Sequence, residues 1–72
     1  MINAAQAKEI AEKFLLRMGH IVLKDDISEP QLVQGKWRVS AKSIPVNIGS
    51  VIEYFGLDIS LKGTVMVTVL SK

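Results

Sequence analysis

Residues 4–18 read AAQAKEIAEKFLLRM and residues 54–61 read YFGLDISL, and the change of hydrophobic rhythm between them decides the fold. In the first stretch Ala7, Ile10, Ala11, Phe14, Leu15 and Met18 recur at intervals of three and four, which gathers them on one helix face. In the second, polar and apolar residues alternate, which sends them to opposite faces of a strand. Every later periodic segment has strand rhythm. This order predicts an α+β domain, with one N-terminal helix packed on a four-stranded antiparallel meander sheet, its strands at about 20–34, 36–44, 53–62 and 64–71.

The helix carries its own start and stop signals. Asn3 can accept the first free backbone N–H groups, Gln6 completes a capping-box spacing, and Gly19 tolerates a left-handed stop. Its outer face holds Gln6, Lys8, Glu9, Glu12, Lys13 and Arg17. Glu9 with Lys13, and Lys8 with Glu12, have the four-residue spacing of helical ion pairs.

Downstream, Asp25, Asp26, Ser28, Glu29 and Pro30 interrupt the first strand, and a break is expected near Glu29-Pro30 because proline lacks the donor a ladder needs. Gln34-Gly35 reads as a tight turn. Trp37, Val39 and Ala41 then point toward the helix, opposite Lys36, Arg38, Ser40 and Lys42. Pro45 ends that strand, and residues 46–52 form a connector able to hold a helical turn. The third strand sends Phe55, Leu57, Ile59 and Leu61 inward and Tyr54, Gly56, Asp58, Ser60 and Lys62 outward. The last sends Val65, Val67 and Val69 inward and Thr64, Met66, Thr68 and Leu70 outward. The predicted core is Ala7, Ile10, Ala11, Phe14, Leu15, Met18, Trp37, Val39, Phe55, Leu57, Ile59, Val65, Val67 and Val69.

Composition bounds what such a domain can do. Seventy-two residues, 49% apolar and 22% charged, make a single folded domain over residues 1–72, and a chain this short buries only roughly 60% of its unfolded surface. A deep substrate cavity would have to be cut from its only core, so a binding surface is the better expectation. Cysteine is absent, leaving stability to packing or association. A net charge of +2 is too small an excess to indicate nucleic acid by itself. With no signal-like leader and no long apolar run, a cytoplasmic protein without a membrane partner is expected.

Candidate chemistry is sparse. His20 is the one histidine, and following Gly19 it reads as a helix C-terminal residue favoured by the dipole rather than as a base or ligand. Asp25, Asp26 and Glu29 form the one acidic cluster but lack the spacing of a calcium loop. No catalytic residue, metal site, cofactor or small-molecule substrate is predicted. Two surfaces stand out. The last strand is apolar on both faces and lies at a sheet edge, with Thr64, Met66, Thr68 and Leu70 as candidate protein-contact residues. Lys36, Arg38, Lys42 and Lys62 beside Tyr54 form a basic outer face that could contact nucleic acid, although Tyr54 alone makes a poor stacking platform.

The alanine-rich helix ending in Met18-Gly19, the Gly35-Lys36-Trp37-Arg38-Val39 segment, Ile44-Pro45, Tyr54, and Leu57-Asp58 before Gly63 resemble the small cystatin-like helix-plus-meander modules. These include PepSY-type domains and the gas-vesicle accessory protein O family. The resemblance implies a non-enzymatic interaction domain that regulates or assembles with other proteins. The last strand departs from it, lacking the arginine- and tyrosine-rich ending of the gas-vesicle group. The resulting expectation is a small protein-interaction or assembly module acting through its C-terminal edge strand and outer sheet face, with a protein partner or a second copy in a homodimer. The alternative is a nucleic-acid-binding module using the basic face.

Overall fold

A computed structural model describes residues 1–45 and 52–71. Its elements run α1 (Ala4–Arg17), β1 (His20–Ile21), a 3-10 turn (Lys24–Asp26), β2 (Gln31–Val33), β3 (Lys36–Pro45), β4 (Glu53–Ser60) and β5 (Val65–Ser71). The expected connector at residues 46–52 falls outside the described residues except for Ile52.

The helix forms where its signals place it. Asn3 Oδ1 accepts from the Gln6 backbone N–H at 2.8 Å, and Gln6 Oε1 accepts from the Asn3 N–H at 2.9 Å, closing the capping box. At the other end Met18 is the C-cap and Gly19 takes φ 87°, a conformation costly for any residue with a Cβ. Ala7, Ala11 and Leu15 are fully buried, and the two alanines let the helix approach the sheet closely. Burying Leu15 contributes about 1.5–3 kcal/mol. Ile10 and Phe14 are half-buried flanks of that stripe. Met18 is not core: it is half-exposed, because the helix ends one residue earlier and the cap leaves the buried face.

On the outer helix face Lys13 reaches Glu9 at 2.9 Å, and their hydrogen bond, followed by the lysine's charge, holds the Glu9 carboxyl below its usual range. Lys8 instead leaves Glu12 for Glu29 at 3.2 Å, a contact across 21 residues that ties the helix to the segment before β2.

All strand pairs are antiparallel, in the order β1-β3-β4-β5, with β2 pairing β3 as well. The expected first strand is thus present in pieces along one edge of β3. β1 pairs Ile44 and Pro45, Ile27 bridges Ala41, and β2 pairs Lys36–Arg38. The break is wider than Glu29-Pro30: the 3-10 turn departs from the edge, and Ser28 re-anchors it, its N–H donating to Ser40 O at 2.8 Å and its Oγ accepting from the Ser40 N–H at 2.9 Å. At the β2–β3 hairpin Gln34 and Gly35 take φ 51° and 77°, the two positive values of a turn matched to strand twist.

The inner sheet face holds Val39, Ala41, Phe55, Leu57 and Ile59, all buried, joined by Ile27 from the broken edge. Trp37 is half-buried at the rim, where its indole N–H donates to Ile2 O at 3.1 Å. Ile2 N in turn donates to Leu61 O at 3.0 Å, stitching the N-terminus between β3 and the end of β4. β4 stops at Ser60, so Leu61 and Lys62 lie in the following turn and not on strand faces as expected.

Two expectations for β5 are also corrected. Val67 pairs with buried Leu57, yet is 39% exposed, because α1 lies mainly over β3 and β1 and reaches β5 less. Val65 is half-buried. A bulge between Gly56 and Leu57 inserts Thr68 as an extra residue, so Gly56 opposes Val69 and Phe55 opposes Leu70. The simple alternation read over residues 64–70 does not run through it, and the Val69 and Leu70 side chains fall outside the described residues. Among the described residues, no helix is long and apolar enough to cross a membrane.

Candidate functional site

The outer sheet face and the free edge of β5 meet in one region. Strand parity puts Lys36, Arg38, Ser40 and Lys42 of β3 on the face away from the helix, opposite Ser60, Asp58, Gly56 and Tyr54 of β4. Ser40 and Gly56 sit side by side with little bulk. With the 3-10 turn and Ser28 rising at one side and Thr68 of β5 at the other, they line an open trough of about 770 Å³.

The charges in the trough are matched in pairs. Arg38 Nε and Nη2 donate to the two carboxylate oxygens of Asp58 at 3.1 and 3.4 Å. Asp58 is buried, and its carboxylate, first by the hydrogen bond and then by its charge, raises the half-exposed Arg38 guanidinium further above its usual range. Lys42 Nζ lies 3.6 Å from Asp26 Oδ1. The expected basic stripe is therefore broken: two of its cations face carboxylates, Lys36 stands at the far end opposite Ser60, and Lys62 lies in the β4–β5 turn. Tyr54 is half-exposed across from Lys42. Cross-strand spacing could have signalled the Arg38–Asp58 pair; nothing in the sequence signals the contact of Asp26 with Lys42.

β5 ends the sheet, and among the described residues nothing pairs with its outer side. Met66, opposite Asp58 on the outer face, is 59% exposed. Thr64 and Thr68 are exposed as well. Thr64 precedes the strand proper: its N–H donates to Ser60 Oγ at 3.0 Å and its carbonyl accepts from Ser60 N at 2.8 Å, closing the hairpin. Of the four expected contact residues, Leu70 is placed by backbone register alone.

A third group escaped the sequence reading. His20 is not a helix cap but the first residue of β1, buried edge-on against Phe55 at 4.9 Å between ring centroids. Its Nδ1 shares a hydrogen bond with Ser43 Oγ at 3.2 Å, and its Nε2 lies 3.9 Å from Glu53 Oε2. Serine, imidazole and carboxylate together invite comparison with a nucleophilic triad. Ser43 is only 1% exposed, so its hydroxyl is spent on His20 inside the core and the three side chains form a buried hydrogen-bonded polar cluster beside Phe55. The signal available was parity, since Ser43 continues the inward series of Val39 and Ala41.

Asp25, Asp26 and Glu29 do not converge, since Asp26 turns to Lys42 and Glu29 to Lys8. Among the described residues no group of three or more histidine, cysteine or acidic side chains could hold a metal ion. Comparison with protein-family models, curated proteins and solved structures finds no match to this chain.

Proposed function

We propose that this domain is a small non-enzymatic protein-interaction or assembly module working through the β5 edge and the adjoining outer face. The observation that carries the reading is the state of β5: a seven-residue edge strand, unpaired on its outer side among the described residues, with Met66 59% exposed beside it. Free N–H and C=O groups along such an edge accept an added strand, and apolar neighbours supply contact area once the strand is in place. The implied resemblance to helix-plus-meander interaction modules points the same way. Against the nucleic-acid alternative stand the engagement of Arg38 by Asp58 and of Lys42 by Asp26, which leaves little unmatched positive charge in the trough.

The test is hydrogen exchange of the β5 amides in dilute protein titrated with a peptide of residues 64–71. The peptide is expected to slow exchange along β5, and Met66→Lys combined with Thr68→Lys to abolish the effect while leaving the circular dichroism spectrum unchanged. Exchange unaffected by the peptide overturns the reading. Salt-sensitive RNA binding, lost on changing Lys36, Arg38 and Lys42 to glutamine, would replace it with the nucleic-acid one.

A further inference from the structure

Resting on the reading of β5 as the interaction edge, the identity of its occupant can be narrowed from the strand's own chemistry. From Val65 to Ser71 the strand carries no charged residue, and Lys62 stands outside it in the turn. A charged partner strand finds no counter-charge among residues 65–71 themselves, although Lys62 precedes and Lys72 follows them in the sequence. Two copies of the strand, by contrast, meet without the like-charge repulsion that a two-fold contact imposes on any charged residue near its axis.

The apolar exposure also has a particular shape. Met66 is open on the outer face and Val67 on the inner face, so a bare strand would cover the backbone edge and leave the helix side of Val67 unfilled. On that side α1 presents a half-buried flank: Ile10 Cδ1 lies 3.5 Å from where a side chain on Gly63, at the entry to β5, would place its Cβ, and Phe14 lies one turn further along the same stripe. A partner bringing a helix of its own to the same side of the sheet would close the gap from both directions. The core it would extend is small, with three alanines among the nine buried apolar residues described, and association is one way a domain of this size gains stability.

We infer that the occupant is a second copy of this chain, its β5 antiparallel to the first about a two-fold axis perpendicular to the sheet. The two sheets become one, the two helices lie on the same side flanking the exposed Val67 residues, and the Met66 side chains meet on the opposite face. The contact is isologous, so it closes at two copies and leaves the interrupted far edges outward.

The experiment combines light scattering over a concentration series with cysteine cross-linking, which is clean because the chain contains no cysteine. Wild type is expected at twice the monomer mass, dissociating on dilution, and Met66→Lys at monomer mass with an unchanged circular dichroism spectrum. Among single variants Thr64→Cys, Met66→Cys and Thr68→Cys, oxidation should cross-link Met66→Cys, which lies at the two-fold, and spare Thr64→Cys and Thr68→Cys. Equal cross-linking at all three positions indicates parallel pairing and overturns the two-fold. A wild type that stays monomeric at every concentration overturns self-pairing, and the edge reading then survives if the strand peptide still protects β5. A dimer indifferent to Met66→Lys, with no cross-linking position, overturns both.

Discussion

The two edges of this sheet are built on opposite plans. Along β3 the edge is filled by fragments: β1, a bridge at Ile27 and β2, separated by a 3-10 turn, Pro30 and the acids Asp25, Asp26 and Glu29. Asp26 engages Lys42 and Glu29 engages Lys8, so the edge is both broken and charged. Along β5 the edge is one strand without charged residues, and its one irregularity among the described residues is the bulge at Thr68. Proteins guard edges with charge, proline, bulges and coverings because an open ladder recruits other strands. Among the described residues one edge carries several such guards and the other only a bulge, a contrast that supports β5 as the proposed interaction edge.

The largest expected effect tests the strand both halves depend on. Leu57 is fully buried in β4, and Leu57→Ala should cost about 2–5 kcal/mol through lost transfer energy and a residual cavity. In a domain whose whole stability is on the order of 5–15 kcal/mol, urea denaturation should show a large shift in midpoint. A shift no greater than that of a surface substitution would mean that the two edges are not held by a common core.

An intermediate effect is expected at the guarded edge. Gly35 holds φ 77° in the hairpin that returns β2 to β3, and a Cβ there would meet nothing within 4 Å. Gly35→Ala therefore tests backbone strain without steric clash, with an expected loss of about 1 kcal/mol measured by thermal unfolding. A neutral result would show that β2 frays independently of the rest of the sheet.

The smallest effect belongs to the bare edge. Met66→Lys, measured on dilute protein, should change unfolding free energy by no more than about 0.5 kcal/mol, since the side chain is largely in solvent. A loss as large as that of Gly35→Ala would mean that Met66 packs within its own chain, and the contrast between the edges would collapse.

Local signals were the legible ones. The Asn3–Gln6 capping box, the Gly19 stop and the Gln34-Gly35 turn each involve residues within a few positions, and each is present. Strand alternation likewise placed Val39, Ala41, Phe55, Leu57 and Ile59 on the inner face. What misled was treating periodicity as continuous. It does not run through the bulge at Thr68, and it continued β4 through Leu61 and Lys62, where a turn takes over. At the candidate site, the exposure of Met66 and the outward parity of Lys36, Arg38, Lys42 and Tyr54 were readable, and cross-strand spacing carried the Arg38–Asp58 pair, but the contact of Lys42 with Asp26 was not readable.

The sequence by itself determined one helix, its ends, the strand faces and the class of fold, because these follow from hydrogen bonds and side-chain spacing over a few residues. Tertiary structure decided which faces are covered. A single helix centred over β3 and β1 buries His20 against Phe55 and leaves Val67 half in solvent, although neither residue's neighbours in the chain announce it. Burial depends on where elements distant in sequence come to lie, and a helix one strand too narrow for its sheet leaves an edge that only the assembled fold reveals.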